Sequence, residues 1–401
     1  MIESATSRFI SEHKDDDIHA LSLKISGRKD IDVHLAIRQI QGYQSFQKKV
    51  PSWTQKEAIL YPDVHLPLEQ CSSEWTAMYK RKIIANSDTT KGRFADLTGG
   101  MGIDFSFLAS LFKESHYVER QEQLCEIAEN NFKILDIEGS HCHNVDSVQW
   151  LESAPTCDWI MLDPARRGKG GGKMVLLEDC EPNLLEIKNL LLEKASHVLV
   201  KLSPIMDLQR AAKQLGCVQE AHIVSFENEC KELLLVLDKE NQKELEEIPI
   251  HCVNIKEDQT KDFIFTLKEE RTTSIKPAAL IENYLYEPNA SIMKAGGFHS
   301  IEYRYDIRAL SENSHLFTSN DCVKDFPGRS FKVLSCTSLN KKELKKQLQG
   351  ISKANITTRN YPMSAEELRK KLQINEGGDI YLMATTLSDQ SKVIAICEKV
   401  Q

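Results

Sequence analysis

Four acids and a cluster of glycines stand at spacings that suit a ribose-bearing ligand. The run RFADLTGGMG, residues 93–102, sets Asp96 at the end of a short apolar stretch and follows it with Thr98, Gly99, Gly100 and Gly102. Gly100 and Gly102 allow backbone conformations and close approaches that a Cβ would block, and the start of a following helix presents unpaired N–H groups. Glu119 comes 23 residues after Asp96, a distance at which an acid can accept hydrogen bonds from the two hydroxyls of a ribose. Asp146 stands in the run NVDS, residues 144–147, and Asp163 opens DPAR, residues 163–166. The loop RRGKGGGK, residues 166–173, then holds Arg166, Arg167, Lys169 and Lys173 among four glycines. Beside a reacting group such a loop suits a closing phosphate clamp; by itself it is a solvated linker. It does not fit the Walker pattern of spaced glycines ahead of Lys and Ser or Thr.

These positions need strand ends to hold them. Residues 94–97 read as a buried strand, 98–102 as a tight turn and 103–112 as the helix leaving it, with Ile103, Phe107, Leu108, Leu111 and Phe112 on one side. Further strands are expected at 116–119, just before Asp146, at 158–162 and at 196–202, with helices at 181–193 and 207–215. Two closing strands, 219–226 and 232–237, flank a polar turn at 227–230. Strand carboxyl ends are where open α/β sheets bind ligands, and four of them carry acids or glycines here. Residues 1–86 read as helical. Ile31, Val33, Ile37, Ile40 and Tyr43 have near-helical spacing up to Val50-Pro51, Thr54 and Glu57 match a capping box, and 68–84 reads as one helix crowding Ser72, Ser73, Glu74 and Lys80. After residue 240 the composition turns charged, which marks a boundary. Residues 250–325 read as a small α+β unit with a strand at FIFTL and a helix at 276–286, and 326–401 alternates as a βαβαββ module.

The series DLTGGMG, Glu119, Asp146 and LDPAR, in this order and spacing, resembles the motifs of class I S-adenosylmethionine-dependent methyltransferases. The resemblance implies an α/β fold: a Rossmann-like core of seven strands, the last antiparallel, behind an N-terminal helical region and ahead of small α+β C-terminal domains. That reversed last strand separates this reading from nicotinamide-binding domains. The C-terminal module resembles the THUMP-like domains that end certain bacterial methyltransferases, whose middle unit is ferredoxin-like. The boundaries expected are 1–90, 91–240, 241–325 and 326–401. S-adenosylmethionine is the implied cofactor, held by Asp96, Thr98, Gly99, Gly100, Gly102, Glu119, Asp146 and Asp163. DPAR resembles the Asp/Asn-Pro-Pro-aromatic tetrad of amino-group methyltransferases, with Asp163, Pro164 and Arg166 in the catalytic positions. Ala165 and Arg166 depart from that tetrad toward enzymes acting on RNA. Carbon methylation needs a cysteine after the fifth strand, where this chain has Lys201-Leu202-Ser203-Pro204. Lys201 with Asp163 and Glu227 leaves a ribose 2′-hydroxyl set open. The substrate-binding residues expected are Arg166, Arg167, Lys169, Lys173 and Lys80, and the partner expected is RNA, tRNA or rRNA. A silent RNA-binding module with this fold and a methyltransferase on protein or a small molecule are the alternatives.

Composition bounds the rest. A formal charge of −8 argues against coating nucleic acid through bulk electrostatics, yet residues 28–93 hold eleven Lys or Arg against seven Asp or Glu. No apolar run approaches the length of a membrane span and no leader opens the chain, so a soluble cytoplasmic protein is expected. Eleven cysteines without a C-x-x-C pair suggest reduced thiols. No metal site is expected, because His141-Cys142-His143 alternates across a strand. Oligomeric state is not legible.

Overall fold

The computed structural model describes residues 4–62, 65–166, 176–257, 259–273 and 277–400. The chain divides into two compact units, Met1–Gln219 with Leu233–Gln242, and Glu220–Glu232 with Lys243–Gln401.

In the first unit, β1 (Arg93–Asp96), β2 (Glu114–Glu119), β3 (Ser140–Asn144), β4 (Cys157–Leu162) and β5 (Ala195–Leu202) are parallel neighbours in the order β3-β2-β1-β4-β5. β4 is apolar and buried almost throughout, as a strand covered on both faces requires. A hairpin follows, β6 (Val218–Phe226) and β7 (Glu229–Asp238). Leu233 to Asp238 of β7 run antiparallel to β5, from Leu202↔Leu233 to His197↔Asp238. The reversed strand expected from the sequence is therefore present. Because the chain steps from β1 to β2 on one side and later to β4 on the other, the order switches beside β1 and opens a crevice at the carboxyl ends.

The N-terminal helices pack onto the element that follows β1. Phe46, Val50, Trp53, Tyr61 and Ala77 share one apolar cluster with Met101 and Ile103. The segment joining them is held by buried amides. Gln39 Nε2 donates to the Tyr61 carbonyl at 2.8 Å, and Asn131 Oδ1 accepts from Leu60 N at 2.8 Å.

Local expectations fail in three places within the N-terminal part of this unit. Residues 68–84 form two helices, His65–Gln70 and Glu74–Asn86, because Ser73 takes extended backbone and caps the second through Thr76 N at 3.3 Å. Thr54 starts no helix: it ends Pro51–Thr54, which begins at a proline, and its hydroxyl donates to the Pro51 carbonyl at 2.8 Å. The helix expected at 103–112 is α-helical only over Ile103–Leu108 before a 3₁₀ turn at Ala109–Leu111.

In the second unit, Ala221 to Phe226 of β6 pair in parallel with β8 (Ile250–Ile255), which pairs antiparallel with β9 (Thr260–Phe265). A separate seven-stranded sheet runs in the order Arg308–Ala309, Phe317–Ser319, Tyr284–Pro288, Gly328–Thr337, Lys392–Lys399, Ile380–Thr386, Asn355–Arg359. The last four strands, with helices Lys341–Gln347 and Ala365–Leu372, follow the βαβαββ order expected. The helix expected at 276–286 is corrected: Tyr284–Pro288 is a central strand, its tyrosines and leucine paired on both sides. Aromatic residues fit a pleated surface, and the pairing decides over the local helical reading. Among the described residues no helix is long and apolar enough to cross a membrane.

Candidate active site

A cavity of about 670 Å³ opens at the carboxyl ends of β1 to β4, and Asp96, Thr98, Gly99, Gly100, Glu119, Asp146 and Asp163 all line it. Residues spread over 68 positions therefore meet at one place, and local geometry shows how.

Gly102 sits at φ +76, and a Cβ there would come within 2.7 Å of the Phe132 ring. At Gly99 a Cβ would lie 2.1 Å from the Tyr117 ring. Gly99 therefore lets the turn lie flat on β2, and Gly102 lets it pass close to Phe132 of the helix Glu122–Ile134. Glu119 fixes the turn from the side: Oε2 accepts from Gly100 N at 2.9 Å and Oε1 from Gln121 N at 2.8 Å. The acid expected to meet a ribose thus first holds the backbone, and its remaining lone pairs are available to a ligand.

The Thr98 hydroxyl has a structural use. Thr98 Oγ1 accepts from Asp163 N at 2.6 Å, which ties the end of β4 to the turn after β1. Thr98→Val should lower stability by about 1–2 kcal/mol through the orphaned amide, read as a urea midpoint, and Thr98→Ser should restore it.

Asp96 is buried and accepts from Thr98 N at 3.0 Å. Burial, helped by the nearby Asp104, Asp163 and Glu119 carboxylates, outweighs that hydrogen bond and pushes its carboxyl up to about 8. An acid whose folded pKa lies above its unfolded value near 3.8 stabilises the fold fully below that lower value and loses the contribution as pH rises towards 8. Asp96→Asn should therefore gain stability relative to the native chain between pH 5 and pH 8, by about 1–3 kcal/mol. Parallel urea titrations of the two proteins across that range check the sign.

Asp146 is exposed and caps the helix Ser147–Ser153, its Oδ1 accepting from Val148 N at 2.9 Å and Gln149 N at 3.2 Å. Capping and cavity lining coexist at this residue. Asp163 is partly exposed, and Lys201 Nζ donates to its Oδ2. Pro164 is buried. Ala165–Arg166 pairs with Cys180–Glu181, which brings Glu181 and Asn183 to the cavity wall. Arg167, Lys169 and Lys173 lie outside the described residues.

Lys80 requires a correction. It is fully buried and does not line the cavity, so it cannot touch a substrate directly. Its Nζ donates to Ser72 Oγ at 3.1 Å and lies 3.1 Å from Asp104 Oδ1, while Ser72 Oγ donates to Asp104 Oδ2 at 2.6 Å. A buried ammonium needs such partners. Through them Lys80 positions the two polar groups that do reach the cavity. Asp104 was missed in the sequence, although an acid in the first turn after a glycine loop is the available signal. Arg120 and Glu181, paired at 2.7 Å on the wall, had no local signal.

Over the whole of both chains this protein is 33% identical, with a TM-score of 0.89, to a protein from Porphyromonas gingivalis W83 whose crystal structure is described as that of a "putative methyltransferase". The chain belongs to that methyltransferase family. Residues 284–327 match the family model of a ferredoxin-like domain and residues 328–399 that of a THUMP domain-like module. The fold of this family member is thus a class I methyltransferase core followed by ferredoxin-like and THUMP-like parts. Solved structures also include an S-adenosylmethionine-dependent methyltransferase from Agrobacterium tumefaciens, 16% identical over 41% of this chain and 60% of its own, with a TM-score of 0.31. An rRNA methylase from Streptococcus thermophilus is 17% identical over 40% of this chain and 95% of its own, also at 0.31. No curated protein matches the chain.

Proposed function

We propose that this chain transfers the methyl group of S-adenosylmethionine to a base nitrogen in RNA, in tRNA or rRNA, as a cytoplasmic enzyme. The observation that carries the reading is the bond from the Asp163 amide to Thr98 Oγ1, which sets Asp163, with Ala165 of the same segment, beside the glycine turn in one cavity.

The cavity suits the cofactor. Glu119 and Asp146 both bring acceptors to the cavity wall; Glu119 is assigned to the ribose hydroxyls and Asp146 to the adenine amino group. Leu97, Val118 and Val148 give an apolar wall to a flat ring. When bound, the cofactor supplies a sulfonium carbon open to in-line displacement. The protein's part is to hold a nucleophile about 3 Å from that carbon and keep water away. Asp163 keeps one carboxylate oxygen on Lys201 and offers the other to an N–H of the acceptor. The Pro164 carbonyl takes the second N–H, which aims the nitrogen lone pair at the methyl. Arg166, Arg167, Lys169 and Lys173 follow this segment directly in sequence and are assigned to backbone phosphates. The THUMP-like module and this run of cations favour RNA over protein or a small metabolite.

The Lys201–Asp163 pair favours one second reading, methylation of a ribose 2′-hydroxyl with the Asp163 carboxylate, held by Lys201, taking the proton. Transfer of labelled methyl to RNA, DNA and protein fractions from cells lacking the gene tests both. A base-methylated nucleoside supports the first reading and a 2′-O-methyl nucleoside the second. Label confined to protein or small molecules overturns the choice of RNA. No label, with cofactor still bound, indicates a silent binding module.

A further inference from the structure

The second unit holds a cluster of ligating side chains that methyl transfer does not use. β6 and β8 are parallel neighbours in which His251 stands directly opposite His222. Glu220, two residues before His222 on β6, projects from the same face of the strand. This is the spacing that makes a tripod on a sheet: two ligands at i and i+2 on one strand and a third across from them.

Side-chain geometry matches the pattern. Glu220 Oε1 lies 3.3 Å from His222 Nε2, and Glu220 Oε2 lies 3.8 Å from His251 Nε2. The two imidazoles stack with centroids 4.4 Å apart and planes inclined by 22°. One ligand atom from each of the three residues falls within 4.8 Å of the others. A tetrahedral ion bound at 2.0–2.2 Å needs ligand atoms about 3.4 Å apart, so modest side-chain rotations close the site. Behind it, His251 Nδ1 is 3.2 Å from Asp262 Oδ2 on β9. A proton on Nδ1 donated to Asp262 leaves the Nε2 lone pair facing the Glu220 carboxylate, an arrangement that calls for a cation between them. A carboxylate behind a histidine is also how proteins orient a metal-bound imidazole.

With both rings neutral, His222 Nε2–H can donate to Glu220 and His251 Nδ1–H to Asp262, which still leaves His251 Nε2 facing a carboxylate oxygen, whereas a single dication satisfies all three ligand atoms. We propose that Glu220, His222 and His251 bind one divalent transition metal ion, zinc foremost, with Asp262 orienting His251. Two imidazoles and one carboxylate select zinc, copper or nickel over magnesium and calcium. His222 is buried beneath the site while Glu220, His251 and Asp262 are 29%, 18% and 33% exposed. The ion's fourth position therefore faces solvent. Its structural effect is to link β6 to β8, two strands whose paired residues, from Ala221 and Ile250 to Phe226 and Ile255, are 29 positions apart in the chain.

The test uses the full chain after treatment with a chelator, titrated with zinc against a chromophoric competitor. One equivalent should bind at micromolar Kd or tighter, with no comparable binding of magnesium. His251→Ala and Glu220→Ala, both at the solvent rim, should each weaken zinc about 100-fold, and Asp262→Asn about 10-fold. Cobalt(II) should give ligand-field bands without thiolate charge transfer, which separates this site from the cysteines. His222→Ala is not needed, since a buried change can unfold the strand pair. Failure of the native chain to bind an equivalent overturns the site, as does unchanged affinity in both rim variants. A thiolate signature in the cobalt spectrum does the same. None of these outcomes depends on methyl transfer.

Discussion

Asp163→Ala lowers the rate of methyl transfer by about 10³-fold or more, the scale set by losing a group that aligns the acceptor, while affinity for S-adenosylmethionine stays within a few-fold. The division follows from which atoms do what. The bond that places Asp163 at the turn uses its backbone N–H, donated to Thr98 Oγ1, and alanine keeps it. Alanine removes the carboxylate, and with it both the proposed acceptor for a substrate N–H and the partner of Lys201. Single-turnover transfer of labelled methyl, beside calorimetric titration of the cofactor, measures the two separately. Loss of cofactor affinity together with transfer would show that Asp163 serves the cofactor first.

Glu119→Ala has the opposite profile: Kd for S-adenosylmethionine rises about 10²–10³-fold, with a smaller change in the rate at saturation. The nearly buried carboxylate accepts from Gly100 N at 2.9 Å and Gln121 N at 2.8 Å. Hydrogen bonds to a charged group are each worth about 1.5–3 kcal/mol, and every 1.4 kcal/mol is tenfold in affinity. Removing Glu119 thus releases the turn and deletes the proposed ribose acceptor at once. Glu119→Gln should fall between, since one amide oxygen can serve one of the two N–H groups and its NH₂ opposes the other. Calorimetry on both variants checks the order, and unchanged affinity in Glu119→Ala would remove this residue from the cofactor site.

The central elements were legible because each carries a local signature. β4 is apolar but for Asp158, and the helix Ala365–Leu372 opens with a capping box in which Ser364 and Glu367 bond reciprocally. Where sequence reading failed, a nonlocal contact had outvoted a local pattern. The 276–286 stretch looked helical, yet Leu285 pairs with Thr318 on one side and Phe331 on the other. Lys80 looked like a surface cation at a polar spot, yet packing buried it against Ser72 and Asp104. The pairing of Lys201 with Asp163 spans 38 positions, and no local pattern announces it.

The sequence by itself determined the order of the motif, the identity of the acids at the strand ends and the two closing strands about a polar turn, because period, glycine placement and charge act over a few residues, while the reversal of the last core strand was an implication of the family resemblance. Only the tertiary structure decided that Thr98 ties β4 to the turn, that Glu119 holds two amides before it meets a ligand, and that Glu220, His222 and His251 share one face. Those contacts depend on the register between strands, and register is set when the sheet assembles and buries its faces together.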